Sequence, residues 1–213
     1  MSEIPRAIPS RKEILLHFDK NDLMMAKVIR RFGPMKLKRN RNYFLVLCKA
    51  IIAQQISVAS ADAITARFYE LFKGEGTPVP QELTKLSDVT LRNVGLSRQK
   101  VAYLKDLSRH FQEKIISPHR LCYMNNEEVI QQLTKVHGIG RWTAEMFLIF
   151  SLNRPDVLPV GDLGLQLALK KLYRMRQLPT AKRMYALGKK WHPLETVATW
   201  YAWRTQDEKI VAY

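Results

Sequence analysis

The sequence predicts an all-α fold. Three observations carry that reading. Apolar residues recur at spacings of three and four along most of the chain, no segment alternates convincingly between polar and apolar, and the connections between helical segments are short. The chain has 213 residues, 46% of them hydrophobic, which is enough for one large domain or two small ones with a real core.

The elements follow in order. Lys12–Phe18 and Asp22–Phe32 read as short helices, the second stopped by Gly33-Pro34, and a basic loop runs over Met35–Asn42. Tyr43–Ala53 is apolar enough, at helical spacing, to be buried. Gln54-Gln55-Ile56-Ser57 interrupts the pattern before a helix over Val58–Lys73, which Gly74-Glu75-Gly76 and Pro78 end. Gln81–Leu86 and Asp88–Val94 are short helices. Ser97 is placed to cap Arg98–Lys114, whose apolar face is Val101, Leu104, Leu107 and Phe111. Asn125 and Glu128 have the spacing of a capping box before Val129–Val136. Gly138-Ile139-Gly140 turns the chain into Trp142–Leu152, and Asp156–Val160 is a loop. Leu163–Tyr173, Ala181–Trp191 and Leu194–Thr205 complete the helices.

Composition excludes several classes. Two cysteines, Cys48 and Cys122, are too few for a disulfide scaffold, a four-Cys zinc site or a Cys-ligated iron–sulfur cluster. The five histidines lack metal-ligand spacing. The opening residues contain no apolar signal segment, and the apolar runs are too short to span a bilayer. A soluble intracellular protein with reduced thiols is expected, with no membrane partner.

The charge is uneven. The chain carries 35 Lys+Arg against 19 Asp+Glu, a formal net charge of +16. Leu23–Ala61 holds eight bases and no acid (Lys27, Arg30, Arg31, Lys36, Lys38, Arg39, Arg41 and Lys49). Leu163–Leu194 again holds eight and no acid (Lys170, Lys171, Arg174, Arg176, Lys182, Arg183, Lys189 and Lys190). Outside these windows bases and acids balance at 19 each, so the whole excess lies within them. Such a distribution points to a polyanionic partner, nucleic acid before an acidic membrane.

The most informative string is Leu133-Thr134-Lys135-Val136-His137-Gly138-Ile139-Gly140-Arg141-Trp142-Thr143-Ala144. A Gly-x-Gly turn between two helices permits φ > 0 and close backbone approach. It also aims the leading N–H groups of the second helix at an anion, aided by the helix dipole. A DNA phosphate suits that geometry and is read without regard to base sequence. It is not a dinucleotide fingerprint, because no strand precedes it and a third glycine is missing.

This string resembles the hairpin of the helix-hairpin-helix DNA glycosylase superfamily, the HhH-GPD fold. Within it the chain is similar to the 3-methyladenine DNA glycosylase II family, which acts on alkylated purines. Four more segments agree in the right order. They are Ile51-Ile52-Ala53-Gln54-Gln55-Ile56-Ser57-Val58, Gly95-Leu96-Ser97 with Lys100–Leu104, Leu158-Pro159-Val160-Gly161-Asp162-Leu163, and Trp191-His192-Pro193 through Trp203. Together they cover roughly residues 43–205.

The resemblance implies two helical subdomains flanking a cleft. One, residues 43–155, would be a helical barrel with a wedge loop and the hairpin. The other would combine 1–42 with 156–213 and carry the catalytic aspartate. That aspartate is Asp162, whose carboxylate at a helix N-terminus would stabilise positive charge building on the sugar and orient or deprotonate the attacking water. Trp142, Trp203 and Met146 match the base pocket, where a π face attracts a cationic alkylated purine. Trp200 and Tyr201 are the alternatives to Trp203. Gln55, Ile56 and Ser57 match the loop that fills the stack after base flipping, although the family's usual wedge is bulkier and more apolar. Gly138, Ile139, Gly140, Arg141 and Thr143 form the phosphate-binding hairpin. Backbone carbonyls of Thr134, Val136 and Ile139 would hold a structural Na⁺ or K⁺, and no other cofactor is implied.

Bifunctional relatives carry a nucleophilic lysine where this chain has Trp142, so water is the implied nucleophile. The activity implied is base excision from double-stranded DNA containing alkylated bases, leaving an abasic site, by a monomer in the cytoplasm and nucleoid or in a nucleus. A non-catalytic helix-hairpin-helix protein that senses distorted duplex is the alternative, and a bifunctional oxidised-base glycosylase is a further rival.

Overall fold

The computed structural model describes residues 8–37, 39–72 and 77–206. Lys38 of the first basic window and the expected helix end at 73–76 lie outside the described residues. Among those described there are thirteen helices and no strand. They are α1 (Arg11–Asn21), α2 (Leu23–Arg31), α3 (Tyr43–Ala53), α4 (Val58–Glu70), α5 (Pro80–Lys85), α6 (Asp88–Asn93) and α7 (Arg98–Gln112). Then follow α8 (Pro118–Leu121), α9 (Asn126–Leu133), α10 (Arg141–Phe150), α11 (Leu163–Leu172), α12 (Ala181–Trp191) and α13 (Glu195–Arg204).

Caps fix most boundaries. Ser97 accepts from Lys100 N–H at 3.2 Å, and Asn125 and Glu128 form the reciprocal box at 2.9 and 2.7 Å. That box starts α9 at Asn126, three residues before the expected Val129. Ser10 and Glu13 make a second capping box, which begins α1. The one-turn α8 was not expected. It opens on Pro118, whose fixed φ suits a first helical position, and it is too short to show an apolar period.

The chain divides into two compact units: residues 40–147, and residues up to 39 joined with those from 148 onward. In the first unit α3 packs on α4 and α7, and α7 on α5 and α6. Leu47, Cys48, Ile51 and Ile52 of α3 are fully buried, as are Leu104 and Leu107 of α7. Phe44 meets Phe111 edge-on at 5.2 Å. The end of α3 is closed by Lys100, whose ammonium donates to the Ile52 carbonyl at 2.7 Å. Burial lowers that ammonium's pKa.

In the second unit the chain's two ends share one core. Ile14, Phe18, Met25 and Ile29 from α1 and α2 pack with Leu165, Leu169, Met184, Leu187, Trp191, Val197 and Tyr201. Asp22 locks the arrangement. Its Oδ1 caps α2 by accepting from Met25 N–H at 3.1 Å. Its Oδ2 accepts from the Tyr173 hydroxyl at 2.6 Å and from the Trp191 indole at 3.0 Å. Burial, then the adjacent Asp22 carboxylate, pushes the Tyr173 hydroxyl well above its ordinary pKa, so it remains a donor. Asp22→Ala strands the buried Trp191 indole and the half-buried Tyr173 hydroxyl and removes a cap. Its expected effect is a loss of about 2–4 kcal/mol, read as a lower urea midpoint with unchanged m-value.

Candidate active site

Asp162 is the N-cap of α11 and only 8% exposed. Its Oδ1 accepts from Leu165 N–H at 2.6 Å and from the Trp203 indole at 2.8 Å. Two donors on one oxygen fix the carboxylate's rotamer and plane. The loop leading in is equally constrained. Thr196 Oγ1 donates to the Arg154 carbonyl at 2.6 Å and accepts from Val157 N–H at 3.0 Å, and Asp162 N–H bonds the Pro159 carbonyl at 3.0 Å. A β-carbon on Gly164 would come within 3.2 Å of Asp162 Oδ1 and 3.6 Å of the Trp203 ring, so the glycine keeps room for both. On the other side, a β-carbon on Gly161 would meet open space.

The structure therefore brings Asp162 and Trp203 together. Trp203 also stacks on Phe150, with ring centroids 6.0 Å apart and planes 13° from parallel. The alternatives at neighbouring positions are core residues. Trp200 is buried, and Tyr201 is buried with its hydroxyl donating to the Gly33 carbonyl at 2.8 Å. Phe150 was missed in the sequence, although Trp142, Met146 and Phe150 recur every fourth residue along α10 and so share one helix face. Trp142 is 40% exposed and Met146 buried.

The hairpin joins α9 to α10. Gly138 takes φ +84, and a β-carbon there would overlap the Tyr103 ring of α7. Glycine is required on both counts. Gly140 is different: a β-carbon there meets nothing within 4 Å. Its carbonyl accepts from Ala144 N–H at 3.1 Å, so the leading N–H groups of Arg141, Trp142 and Thr143 stand ahead of the helical ladder. The Thr143 side chain is buried. Arg141 is engaged with Glu127 at 2.6 and 2.8 Å and lies 3.7 Å from Glu145, so its guanidinium steadies the start of α10. Among the carbonyls matched to a cation, that of Val136 accepts from Ile139 N–H at 3.1 Å and keeps a second lone pair. Neutral carbonyl oxygens fit a monovalent ion. Among the described residues no group of three or more His, Cys, Asp or Glu side chains could hold a metal.

The loop between α3 and α4 is tied to this hairpin. Gln54 donates to the Gly138 carbonyl at 2.7 Å, a partner the sequence did not reveal. Gln55 sits in the left-handed region at φ 57 and is exposed, Ile56 is 37% exposed, and Ser57 caps α4 by accepting from Ser60 N–H at 3.2 Å. Held strain of this kind persists where the surroundings enforce it.

With this geometry in place, the comparisons with known proteins decide the family. The profile of the HhH-GPD superfamily, base excision DNA repair proteins, matches residues 48–193. The chain belongs to that superfamily. It is 32% identical over 206 residues to DNA-3-methyladenine glycosylase 1 of Schizosaccharomyces pombe, covering 95% of this chain and 90% of that protein. The crystal structure of a DNA-3-methyladenine glycosidase from Bacillus halodurans superposes with a TM-score of 0.84 at 35% identity, over 93% of this chain and 90% of the other. The S. pombe 3-methyladenine DNA glycosylase Mag1, in complex with abasic DNA, superposes with a TM-score of 0.76 at 31% identity, over 94% and 98%. No helix among the described residues is long and apolar enough to cross a membrane.

Asp106 anchors the hairpin from α7. Its Oδ2 accepts from the His137 N–H at 2.9 Å and lies 2.8 Å from the His137 ring nitrogen, while Arg109 donates to Oδ1 at 2.6 Å. Burial acts to raise its pKa, but the bonds from His137 N–H, Arg109 and the His137 ring outweigh it and hold the carboxyl at about 2. The folded value lies below the unfolded one. Its contribution is therefore complete above about pH 4 and fades as the pH falls towards 2. Urea unfolding between pH 2 and 5 is expected to show Asp106→Asn losing this part of the acid sensitivity, and equal slopes in both proteins would contradict the anchor.

Proposed function

We propose that this chain is a monofunctional DNA glycosylase that removes alkylated, cationic purines such as 3-methyladenine and 7-methylguanine from duplex DNA. The observation that carries the reading is Asp162 at a helix N-terminus, oriented by Leu165 N–H and Trp203, in a chain of the base excision superfamily. A cationic base leaves with the electron pair of its bond to C1′ and becomes neutral. The Asp162 carboxylate stabilises the positive charge that builds on the sugar. It then takes a proton from the water whose oxygen bonds to C1′. The products are the free base and an abasic sugar. A base already positive needs no strong general acid.

The remaining residues support that step. Trp203 and Trp142 offer π faces for a flipped cationic base, and Met146 follows Trp142 one turn along α10. Gln55, Ile56 and Ser57 take the place it vacates in the stack. The turn Gly138-Ile139-Gly140, with the leading N–H groups of Arg141 to Thr143, receives a phosphate of the same DNA. Carbonyls of Thr134, Val136 and Ile139 would hold Na⁺ or K⁺, which strengthens that phosphate contact when bound. A DNA substrate fits a location in the cytoplasm and nucleoid, or in a nucleus.

Mass spectrometry of bases released from methylated DNA tests the reading and defines the lesion range. Asp162→Asn is expected to bind abasic-site DNA nearly as the wild type does and to lose at least about 100-fold in base release. Trp203→Phe keeps an aromatic face but loses the indole N–H, and a smaller loss in rate is expected. Near wild-type release by Asp162→Asn would overturn the catalytic assignment of Asp162, whereas a wild-type protein that binds DNA and releases no base would leave a non-catalytic DNA-binding protein as the better account.

Because Trp142 stands where a nucleophilic lysine would, the lesion strand is expected to stay intact until alkali is added, with no covalent adduct trapped by borohydride. Strand cleavage without alkali would indicate a bifunctional enzyme.

A further inference from the structure

We propose that the solvent-facing side of α11, from Leu163 to Arg174, is a second DNA-binding surface, one that takes phosphates of the duplex flanking the lesion. It rests on the glycosylase reading, which puts Asp162 at the reacting nucleotide. Leu165, Ala168 and Leu169 of α11 are buried, while Leu163 and Leu167 on its other side are 58% and 45% exposed. Lys170 and Lys171 continue that exposed side. The face is thus apolar beside Asp162 and basic one to two turns further on. Its basic end is an open depression of about 500 Å³ lined by Leu167, Lys170, Lys171, Arg174, Met175 and Gln206. Gln206 follows α13 directly after the Trp203 turn, its N–H bonded to the Trp203 carbonyl at 2.9 Å. Both walls are continuations of the elements that carry Asp162 and Trp203.

Arg174 supplies an independent argument. It stands just past the end of α11 with φ 50. Its N–H bonds the Lys171 carbonyl at 3.3 Å, and Met175 N–H bonds the Lys170 carbonyl at 2.9 Å. This closure places one residue in the left-handed region, where glycine is ordinarily used. Any β-carbon there is strained, and closing the helix gives no reason for a guanidinium. The helix dipole accounts for Lys170 and Lys171 in the last turn and fades beyond it, and a base also takes the left-handed position past α7, at Lys114. No acidic residue occurs between Leu163 and Leu194 to pair with these charges from nearby in the chain. A phosphate row does pair with them. The ten residues of α11 extend about 15 Å, the length of roughly four to five base pairs.

The test uses the full chain and two variants, Arg174→Gly and the pair Lys170→Gln with Lys171→Gln. Binding is measured by fluorescence anisotropy on duplexes holding a stable abasic analogue, over a range of salt, beside thermal melting and single-turnover base release at saturating protein. Arg174→Gly is expected to raise the melting temperature by roughly 2–4 °C by relieving the left-handed arginine. It is also expected to weaken binding about three- to tenfold at 0.1 M salt and to reduce the salt slope by about 1. The lysine pair should weaken binding without stabilising the fold. Saturated base release should stay at the wild-type rate. The penalty should vanish on duplexes cut to fewer than about four base pairs on one side of the lesion. Wild-type affinity and salt slope in both variants would overturn the proposal, as would a penalty that persists on the truncated duplexes. Failure of the glycosylase reading shows separately, as a wild-type protein that binds these duplexes but releases no base from methylated DNA.

Discussion

A single oxygen, Oδ1 of Asp162, accepts two hydrogen bonds, and much of the second unit exists to hold the donors in place. One donor, Leu165 N–H, is local to α11. The other, the Trp203 indole, comes from a helix 41 residues away in the chain. Its position requires α13 to be fixed against α11, and buried Leu165 and Leu169 meeting Val197 and Tyr201 do this. That core is closed by residues from the other end of the chain, Phe18, Met25 and Ile29. Asp22 fastens those helices to Tyr173 and Trp191, and Tyr201 reaches back to Gly33. A displacement of about 1 Å at a reacting group can lower a rate a hundredfold. Residues near both ends of the chain thus set the aim of one carboxylate.

In the first unit the corresponding part is α7. Lys100, Tyr103 and Asp106 follow one another at intervals of three, so they rise along one side of the helix. Lys100 closes the end of α3, the Tyr103 ring lies where a side chain on Gly138 would be, and Asp106 takes the His137 N–H. Gln54 completes the frame by bonding the Gly138 carbonyl. The loop after α3 and the turn before α10 are therefore positioned by one rigid helix. The two glycines of that turn divide their roles. Gly138 is demanded by the fold through its φ and Tyr103, whereas Gly140 is surrounded by open space and leaves an anion room to approach.

How much of this the sequence revealed depends on the range of each interaction. The caps at Ser97 and Asn125 were legible because a cap is complete within four residues. The helices of α3, α7, α11 and α12 were legible because their apolar faces repeat along the chain, and Asp162 was legible as the residue that opens α11. Asp22, Asp106, Gln54 and Phe150 were not. Each acts through a partner 31 to 169 residues away, or through an aromatic stack that no local pattern announces. An aspartate ahead of a helix reads as a cap, and Asp22 is one, but its second oxygen holds two side chains from the far end of the chain. Arg141 has a side-chain partner that its motif does not announce. Its place in the motif suggests a phosphate ligand, while its guanidinium is occupied with Glu127.

The same contrast explains the charge. Several acids among the described residues have structural partners: Glu13 and Glu128 complete capping boxes, Asp19 pairs with Arg30, Asp88 with Lys105, and Asp22, Asp106 and Asp162 each hold a junction. Exposed ion pairs contribute about 0–1 kcal/mol each, so adding acids to the basic windows would stabilise the fold little, but it would relieve the mutual repulsion of a +16 chain. The windows nevertheless hold none. One, Leu23–Ala61, runs from α2 through α3 and the loop with Gln55 into the start of α4, and the other opens at Leu163, directly after Asp162. The excess borders the buried carboxylate and the loop that carries Gln55, where the proposed function has DNA bind. The fold tolerates the repulsion because its core and its buried carboxylates supply stability without drawing on the basic surface.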